Sequence, residues 1–402
     1  MIGKRLVFAL LLLLLTLPIT GCWDRREMNE LGIALGMGID RIGDKFVVTV
    51  QVVKPGQVAA QKGAGGAEAP VVMYKAEGPT IFEAIRKMTK ASPRKIYAAH
   101  LRVLLFGEAI ARQGIGNALD LLSRDYELRT DFYLLVARDV TAEEALNILT
   151  PLEKIPANKL YRSIETSEKA WAPVVSITLD DFVNDVVSNG KNPIISGIHI
   201  VGNADSGEGS SSRNLNSIYP KVSLVNDGIA VFRKDRLVGW MNDRESKGYN
   251  YITNNVHSTV GHISCPSGGK LALEVVGARS KLSAKMVRGR PHLGVDVKVE
   301  ETVGEVECRI DLTKPSTIEE LERRAQDTLA GVLRHSIEKG QKKFKSDYFG
   351  FGNALHRSHP QMWKQVRKDW DERFEDADVD INVQVKIKRT GTITNSFMEG
   401  ED

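Results

Sequence analysis

Hydrophobic and polar residues alternate along much of this chain with a period of two, which is typical of β-strands that bury one face. The clearest run covers residues 379–387, where valine and isoleucine alternate with charged or amide side chains. A similar run covers residues 295–300, and two runs near the N-terminus, residues 31–40 and 46–53, predict a hairpin. These patterns predict antiparallel or mixed sheets that expose one face.

Helical periodicity fills the segments between the predicted strands. The longest predicted helix follows Pro315 and runs to about residue 344, with apolar residues three or four positions apart. A second C-terminal helix is predicted over residues 360–374, where Trp363 and Trp370 lie seven positions apart on one face. We interpret the two tryptophans as core residues, the alternative being an exposed docking stripe.

Changes in composition divide the chain into units. Residues 202–219 are small, polar and rich in glycine and serine, and this composition predicts a flexible linker. It separates an N-terminal α+β domain (22–201) from a small middle domain (220–277), which a C-terminal α+β domain (278–402) follows. The predicted fold is therefore α+β with three domains and mixed or antiparallel sheets. Its C-terminal domain is predicted to be an antiparallel sheet packed by helices that include the long one.

The first residues have the pattern of a bacterial lipoprotein leader. Lys4 and Arg5 precede an apolar run, and the run ends at Ile19-Thr20-Gly21-Cys22, which matches a lipobox. The apolar run is too short to cross a bilayer core, which needs about 20 residues. We predict that residues 1–21 are removed and that Cys22 is the lipid attachment site. The alternative is an ordinary secretory leader in which Cys22 falls by chance.

Two further cysteines remain, Cys265 in a turn-rich segment and Cys308 in an alternating run. Export of the protein would permit a disulfide between them. The placement of Cys308 on the apolar face of a predicted strand favours two unpaired thiols instead. Two cysteines without a CxxC spacing do not predict a metal site.

Charge and motifs favour no enzyme class. The chain has 402 residues and a formal charge of +4, which falls to about +2 without the two leader cations, so nothing favours nucleic acid. No nucleophile elbow, zinc-protease motif or Walker loop is present. We interpret four histidines as solvated: His257, His262, His356 and His359. Asp180 and Asp181 are interpreted as carboxylates that favour the start of a helix. Lys342, Lys343 and Lys345 are interpreted as a solvated helix end. A contact of these lysines with lipid headgroups is the alternative. We predict no enzyme activity, no cofactor and no metal.

Three segments together resemble one family. The segment after the lipobox, Cys22-Trp23-Asp24-Arg25-Arg26-Glu27-Met28-Asn29-Glu30-Leu31-Gly32, is similar to the start of the Ger(x)C spore-germination lipoproteins. Residues 228–232 and 237–240 resemble the start of the family's C-terminal region, and residues 378–389 resemble its end.

The resemblance implies a function and a location. Members of this family are the C subunits of nutrient germinant receptors, placed on the outer face of the spore inner membrane with integral-membrane A and B subunits as partners. It also implies a three-domain α+β fold, and only Cys22 is carried over as a functional residue. The competing hypothesis is a solute-binding lipoprotein of an importer, against which the two-sided alternation of the C-terminal strands argues. Whether the chain binds a small molecule stays open.

Overall fold

The computed structural model describes residues 30–56, 69–266 and 268–390. The strands are β1 (Leu31–Ile42), β2 (Lys45–Val53), β3 (Val71–Gly78), β4 (Lys95–Tyr97), β5 (Val103–Gly107), β6 (Tyr133–Ala137), β7 (Ile194–Val201), β8 (Ser223–Arg233), β9 (Arg236–Met241), β10 (Thr259–Ser264), β11 (Lys270–Val287), β12 (Arg290–Val306) and β13 (Asp378–Arg389). The α-helices are α1 (Ile81–Lys87), α2 (Glu108–Gln113), α3 (Gly116–Arg124), α4 (Ala142–Leu146), α5 (Pro156–Ala170), α6 (Leu179–Val187), α7 (Ser212–Asn216), α8 (Asp243–Ile252), α9 (Pro315–Glu338), α10 (Phe351–Ser358), α11 (Pro360–Val366) and α12 (Trp370–Glu375).

Shorter helical turns complete the secondary structure: 3-10 turns at Met88–Lys90 and Ala204–Ser206, and a π-helical turn at Lys339–Phe344. None of the helices in these described ranges combines the length and the apolar composition needed to cross a membrane. The leader and Cys22 lie outside the described residues.

The larger sheet has the strand order β3-β2-β1-β5-β6-β7-β8-β9, with β4 paired to β1. Its middle strands are parallel and its two ends antiparallel, so the sheet is mixed. Helices cover both faces. Leu104 and Phe106 of β5 face one core, whereas Val103 and Leu105 face the other. This burial on both sides is why β5 is apolar throughout rather than alternating.

The predicted linker, residues 202–219, connects two neighbouring antiparallel strands of that same sheet, β7 and β8. It contains α7, and the buried side-chain amide of Asn214 donates hydrogen bonds to the carbonyl oxygens of Leu149 and Val222 at 2.8 and 2.9 Å. The segment therefore connects two strands of one sheet and packs against the neighbouring structure. The division into three domains stays a prediction.

The smaller sheet has the order β10-β11-β12-β13 and packs against α9. Its first three strands are antiparallel, and the predicted alternation places Val295, Val297 and Val299 in the core. The predicted α+β class, with mixed sheets and a long helix on the C-terminal sheet, is confirmed. The last strand, β13, runs parallel to β12, because the helical segment between them returns the chain to the end of the sheet at which β12 begins.

The two remaining cysteines form a disulfide, so our preference for two unpaired thiols is wrong. The Cα atoms of Cys265 and Cys308 are 6.3 Å apart and the sulfurs are bonded. Strand β12 ends at Val306, so Cys308 lies beyond the strand and not on its apolar face. The pairing of Leu271 with Val306 brings both cysteines to one end of the sheet, and this register cannot be read from either segment alone.

We predict that replacing Cys265 by serine lowers the free energy of unfolding, because the bond closes a loop 43 residues long. Loop-closure entropy gives a loss of about 3–4 kcal/mol. Urea denaturation of the variant, beside wild-type protein with and without reductant, measures it. An unchanged midpoint in both tests would contradict the prediction.

Candidate functional site

The C-terminal helices meet the larger sheet just before the start of β7, along a contact that we call the seam. There the backbone N–H of Asn192 donates to the carbonyl of Asp347 at 2.8 Å, and that of Asn353 donates to the carbonyl of Gly190 at 3.1 Å. A Cβ atom on Gly190 would lie 2.4 Å from the Asn353 side chain, and one on Gly352 would lie 2.7 Å from the Gly190 Cα. Both glycines are therefore required by the close approach of the two backbones.

The carboxylate of Asp347 is the centre of the seam and is fully buried. It accepts hydrogen bonds from the backbone N–H groups of Gly350, Phe351 and Gly352 at 2.9, 3.3 and 2.8 Å. It also accepts one from Nε1 of Trp370 at 2.8 Å. Burial raises the pKa of Asp347 to about 6, although these hydrogen bonds favour the charged form. One side chain thus fixes the start of α10 and the position of α12.

A part-buried ion pair lies beside the seam, where Nζ of Lys191 is 2.7 Å from the carboxylate of Asp185. In the described part of the chain, Lys191 lines three cavities. Of the two larger ones, one, of about 400 Å³, is bordered by Arg233 and Asp371, and the other, of about 410 Å³, by Glu168. Both cavities are lined mostly by polar side chains. Their chemistry suits polar contacts rather than the burial of an apolar ligand.

The carboxylates predicted at a helix start have that role. Asp181 accepts from the backbone N–H and the hydroxyl of Thr178, forming the capping box of α6, and Asp180 accepts from the hydroxyl of Thr130 at 2.6 Å. The histidines at 356 and 359 are exposed. In the described part of the chain, no group of three or more histidine, cysteine or acidic residues is arranged to hold a metal.

The predicted helix end and the tryptophan pair also agree with their interpretations. Lys342 and Lys345 form ion pairs with Asp376 and Glu375 at 3.0 and 2.8 Å. Both tryptophans are buried, and their rings meet edge to face at 5.4 Å. They lie on two helices, α11 and α12, rather than on one, because the helix predicted over residues 360–374 is interrupted at residues 367–369.

Sequence reasoning missed Asp347 and Lys191. The signal for Asp347 is an acidic residue inside an aromatic run, with Tyr348, Phe349 and Phe351 directly after it. A charge in such surroundings is expected to be buried and to need several hydrogen-bond donors. For Lys191 the sequence has no comparable signal, because its partner Asp185 lies six residues earlier, on α6, and the cavities around it form only when the C-terminal segments pack against this part of the chain.

Another buried carboxyl group lies away from the seam, on β12. Glu301 is 7% exposed, and its Oε2 atom has no hydrogen-bond partner among the described residues. Burial raises its pKa to about 7. The unsatisfied oxygen makes Glu301 a cost to folding when it is ionised.

Comparison with known proteins assigns the chain to a family. Residues 24–200 match the family model described as "Spore germination protein N-terminal domain", and residues 227–391 match "Spore germination B3/ GerAC like, C-terminal". The chain is 33% identical over 399 residues to "Spore germination protein KC" of Bacillus subtilis (strain 168), covering 98% of this chain and 97% of that protein. The chain belongs to the Ger(x)C family of spore germination proteins.

Other Ger(x)C proteins and one solved structure agree with this assignment. "Spore germination protein B3" and "Spore germination protein A3" of the same Bacillus strain are each 24% identical, and each alignment covers 94% of this chain and 96% of the relative. The structure described as "Crystal Structure of the GerBC protein" superposes with a TM-score of 0.56 at 20% identity. It covers 91% of this chain and 100% of that chain. At that identity the structural likeness shows the fold.

We predict that Asp347→Ala lowers the free energy of unfolding by about 3–5 kcal/mol, because it leaves several buried N–H donors without an acceptor. Urea denaturation measures the change. Asp376→Ala is the matched control, since that carboxylate is 87% exposed and should cost less than about 1 kcal/mol. Equal stability of the two variants would contradict a central role for Asp347.

We predict that stability depends on pH through Glu301. Its folded-state pKa, about 7, is above its ordinary value of 4.5, so the folded protein holds the proton more tightly than the unfolded chain. Its contribution is therefore favourable at low pH and is lost as pH rises through this window. Glu301→Gln should gain about 1–3 kcal/mol relative to wild type between pH 5 and pH 8.

The control for this measurement is Glu300→Gln, the neighbouring exposed carboxylate that pairs with Lys388 at 3.1 Å. Thermal unfolding at both pH values compares the three proteins. If Glu301→Gln follows the wild-type pH dependence, Glu301 is already ionised at pH 5 in the folded protein.

Proposed function

We propose that this chain is the lipid-anchored C subunit of a spore nutrient germinant receptor. Diacylated Cys22 would hold it at the outer face of the spore inner membrane. The observation that carries the proposal is the relationship to a named spore germination protein over 98% of the chain. The lipobox at residues 19–22 supports the anchor, because two acyl chains give stable membrane attachment, each buried CH₂ contributing about 0.8 kcal/mol.

The proposed partners are the integral-membrane A and B subunits of the receptor. Confinement to the membrane surface raises the effective concentration of the chain near such partners, so that moderate contacts suffice for assembly. The proposed role is non-enzymatic and needs no cofactor. The polar cavities beside Lys191 play no part in this proposal.

We predict that Cys22→Ala removes the protein from the membrane fraction, because the variant cannot receive the diacylglycerol. A tagged copy is produced in sporulating cells, spore membranes are separated from soluble material, and the tag is followed in both fractions. Thr16→Ala is the control, since it alters the leader and keeps Cys22. Loss of the anchor should also slow germination with nutrient.

Purification of the tagged protein from detergent-solubilised spore membranes tests the partners. Mass spectrometry should recover two polytopic germination subunits with the wild-type protein. Recovery of an importer permease and ATPase in their place would support the solute-binding alternative. A Cys22→Ala variant that stays in the membrane and supports normal germination would contradict the anchoring proposal.

A further inference from the structure

An apolar groove opens on the larger sheet at the end where β1 begins. It has a volume of about 560 Å³ and lies between α1, β4 and the turn after α3. Apolar side chains, among them Ile85, Ile96 and Leu121, line its interior. Two aromatic side chains stand exposed at its border, Phe82 at 49% and Tyr126 at 86%. Exposed aromatic residues beside an apolar groove are typical of contact surfaces.

The same region has cations that form no ion pair with any described acidic residue. Arg86, Lys90 and Arg94 are exposed, and no carboxylate in the described part of the chain lies within ion-pair distance of them. Arg86 lies over the ring of Phe82 at 5.0 Å. We call Phe82, Arg86, Lys90, Arg94 and Tyr126 the anchor-proximal surface.

Neighbouring cations differ from these three, because each is paired. The ion pairs are Lys87 with Glu83, Lys95 with Glu127 and Arg124 with Asp120. Among the described residues, the cations of this surface that lack an ion-pair partner therefore outnumber Asp125, the one groove-lining carboxylate that lacks one. Anionic phosphate groups are the complementary partner.

The chain connects this surface to the lipid attachment site. Leu31, at the start of β1, pairs with Lys95, which lines the groove. Arg94 lies next to Gly32, since a Cβ atom on Gly32 would be 3.8 Å from the Cβ of Arg94. Cys22 precedes Glu30 by eight residues. Even a fully extended chain of that length spans at most ~29 Å, so a lipid on Cys22 keeps this end of the fold near the bilayer.

We propose that the anchor-proximal surface binds anionic phospholipid headgroups directly, and this rests on the proposed anchor at Cys22. Arg86, Lys90 and Arg94 contact the phosphates, because an anionic membrane surface attracts nearby lysine and arginine side chains. Tyr126 and Phe82 enter the interfacial layer, where amphipathic and aromatic rings are favoured. The protein is then held at the membrane in one orientation, with the seam and the C-terminal sheet directed elsewhere.

The test uses the full-length lipidated protein in vesicles of phosphatidylglycerol and phosphatidylcholine. Because Cys22 carries lipid and the other two cysteines are bonded, Tyr126→Cys provides a single free thiol for a fluorescent label. Ile218→Cys is the matched control, fully exposed and on the connection between β7 and β8. Bromine-labelled phospholipid should quench the label at position 126 severalfold more than the label at position 218.

A second arm removes charge. Arg86→Gln, Lys90→Gln and Arg94→Gln together should bring quenching at position 126 down to the level seen in vesicles of phosphatidylcholine alone. The matched control loses three exposed cations of the smaller sheet, Lys281, Lys285 and Arg290, and should keep the quenching.

The outcomes separate the two proposals. If the protein does not float with the vesicles, the Cys22 anchor is wrong, and this inference fails with it. If it floats but positions 126 and 218 are quenched equally, the anchor stands and the oriented contact is overturned. Equal quenching in vesicles with and without phosphatidylglycerol would overturn the headgroup contact. Protection of position 126 only when the polytopic subunits are present would assign this surface to a protein partner.

Discussion

The burial of one carboxylate, that of Asp347, is the constraint on which the arrangement of this protein depends. An ionised group in the interior is tolerated only when hydrogen bonds replace its water. Here the first turn of α10 and the indole of Trp370 supply those bonds. The backbone carbonyl of the same residue accepts a hydrogen bond from Asn192, just before the start of β7 in the larger sheet. A single polar centre therefore links the last helices to the sheet that the first half of the chain begins.

The continuity of the larger sheet also links the N-terminal and C-terminal parts of the chain. Strand β8 directs Ile229 and Val231 towards the C-terminal core and Ala230 and Phe232 towards an N-terminal core. Its two faces thus belong to two different hydrophobic clusters. The two family models cover residues 24–200 and 227–391, and the sheet runs across the interval between them.

The anchor-proximal surface and the seam are built from different chemistry. Around the start of β1, exposed aromatic rings lie beside cations that have no ion-pair partner among the described residues, as suits a contact with a charged bilayer. Along the seam the charged groups are buried, as in Asp347, or part-buried and paired, as in Lys191 with Asp185, and the neighbouring cavities are polar. A subunit held at one end by lipid can present the other to partners, and this division matches the function that we propose.

The sequence by itself determined the local elements and the family. Strand alternation, the core position of Trp363 and the lipobox all depend on residues close together in the chain. Tertiary structure decided what depends on pairing between distant segments: the bond between Cys265 and Cys308, the parallel direction of β13, and the role of residues 202–219 as a connection between two strands of one sheet. Glycine and serine in that stretch suggested a linker, because composition records local flexibility and not which strands pair on either side. The role of Asp347 was hidden for the same reason, since its acceptor geometry exists only once α10 and α12 meet the sheet.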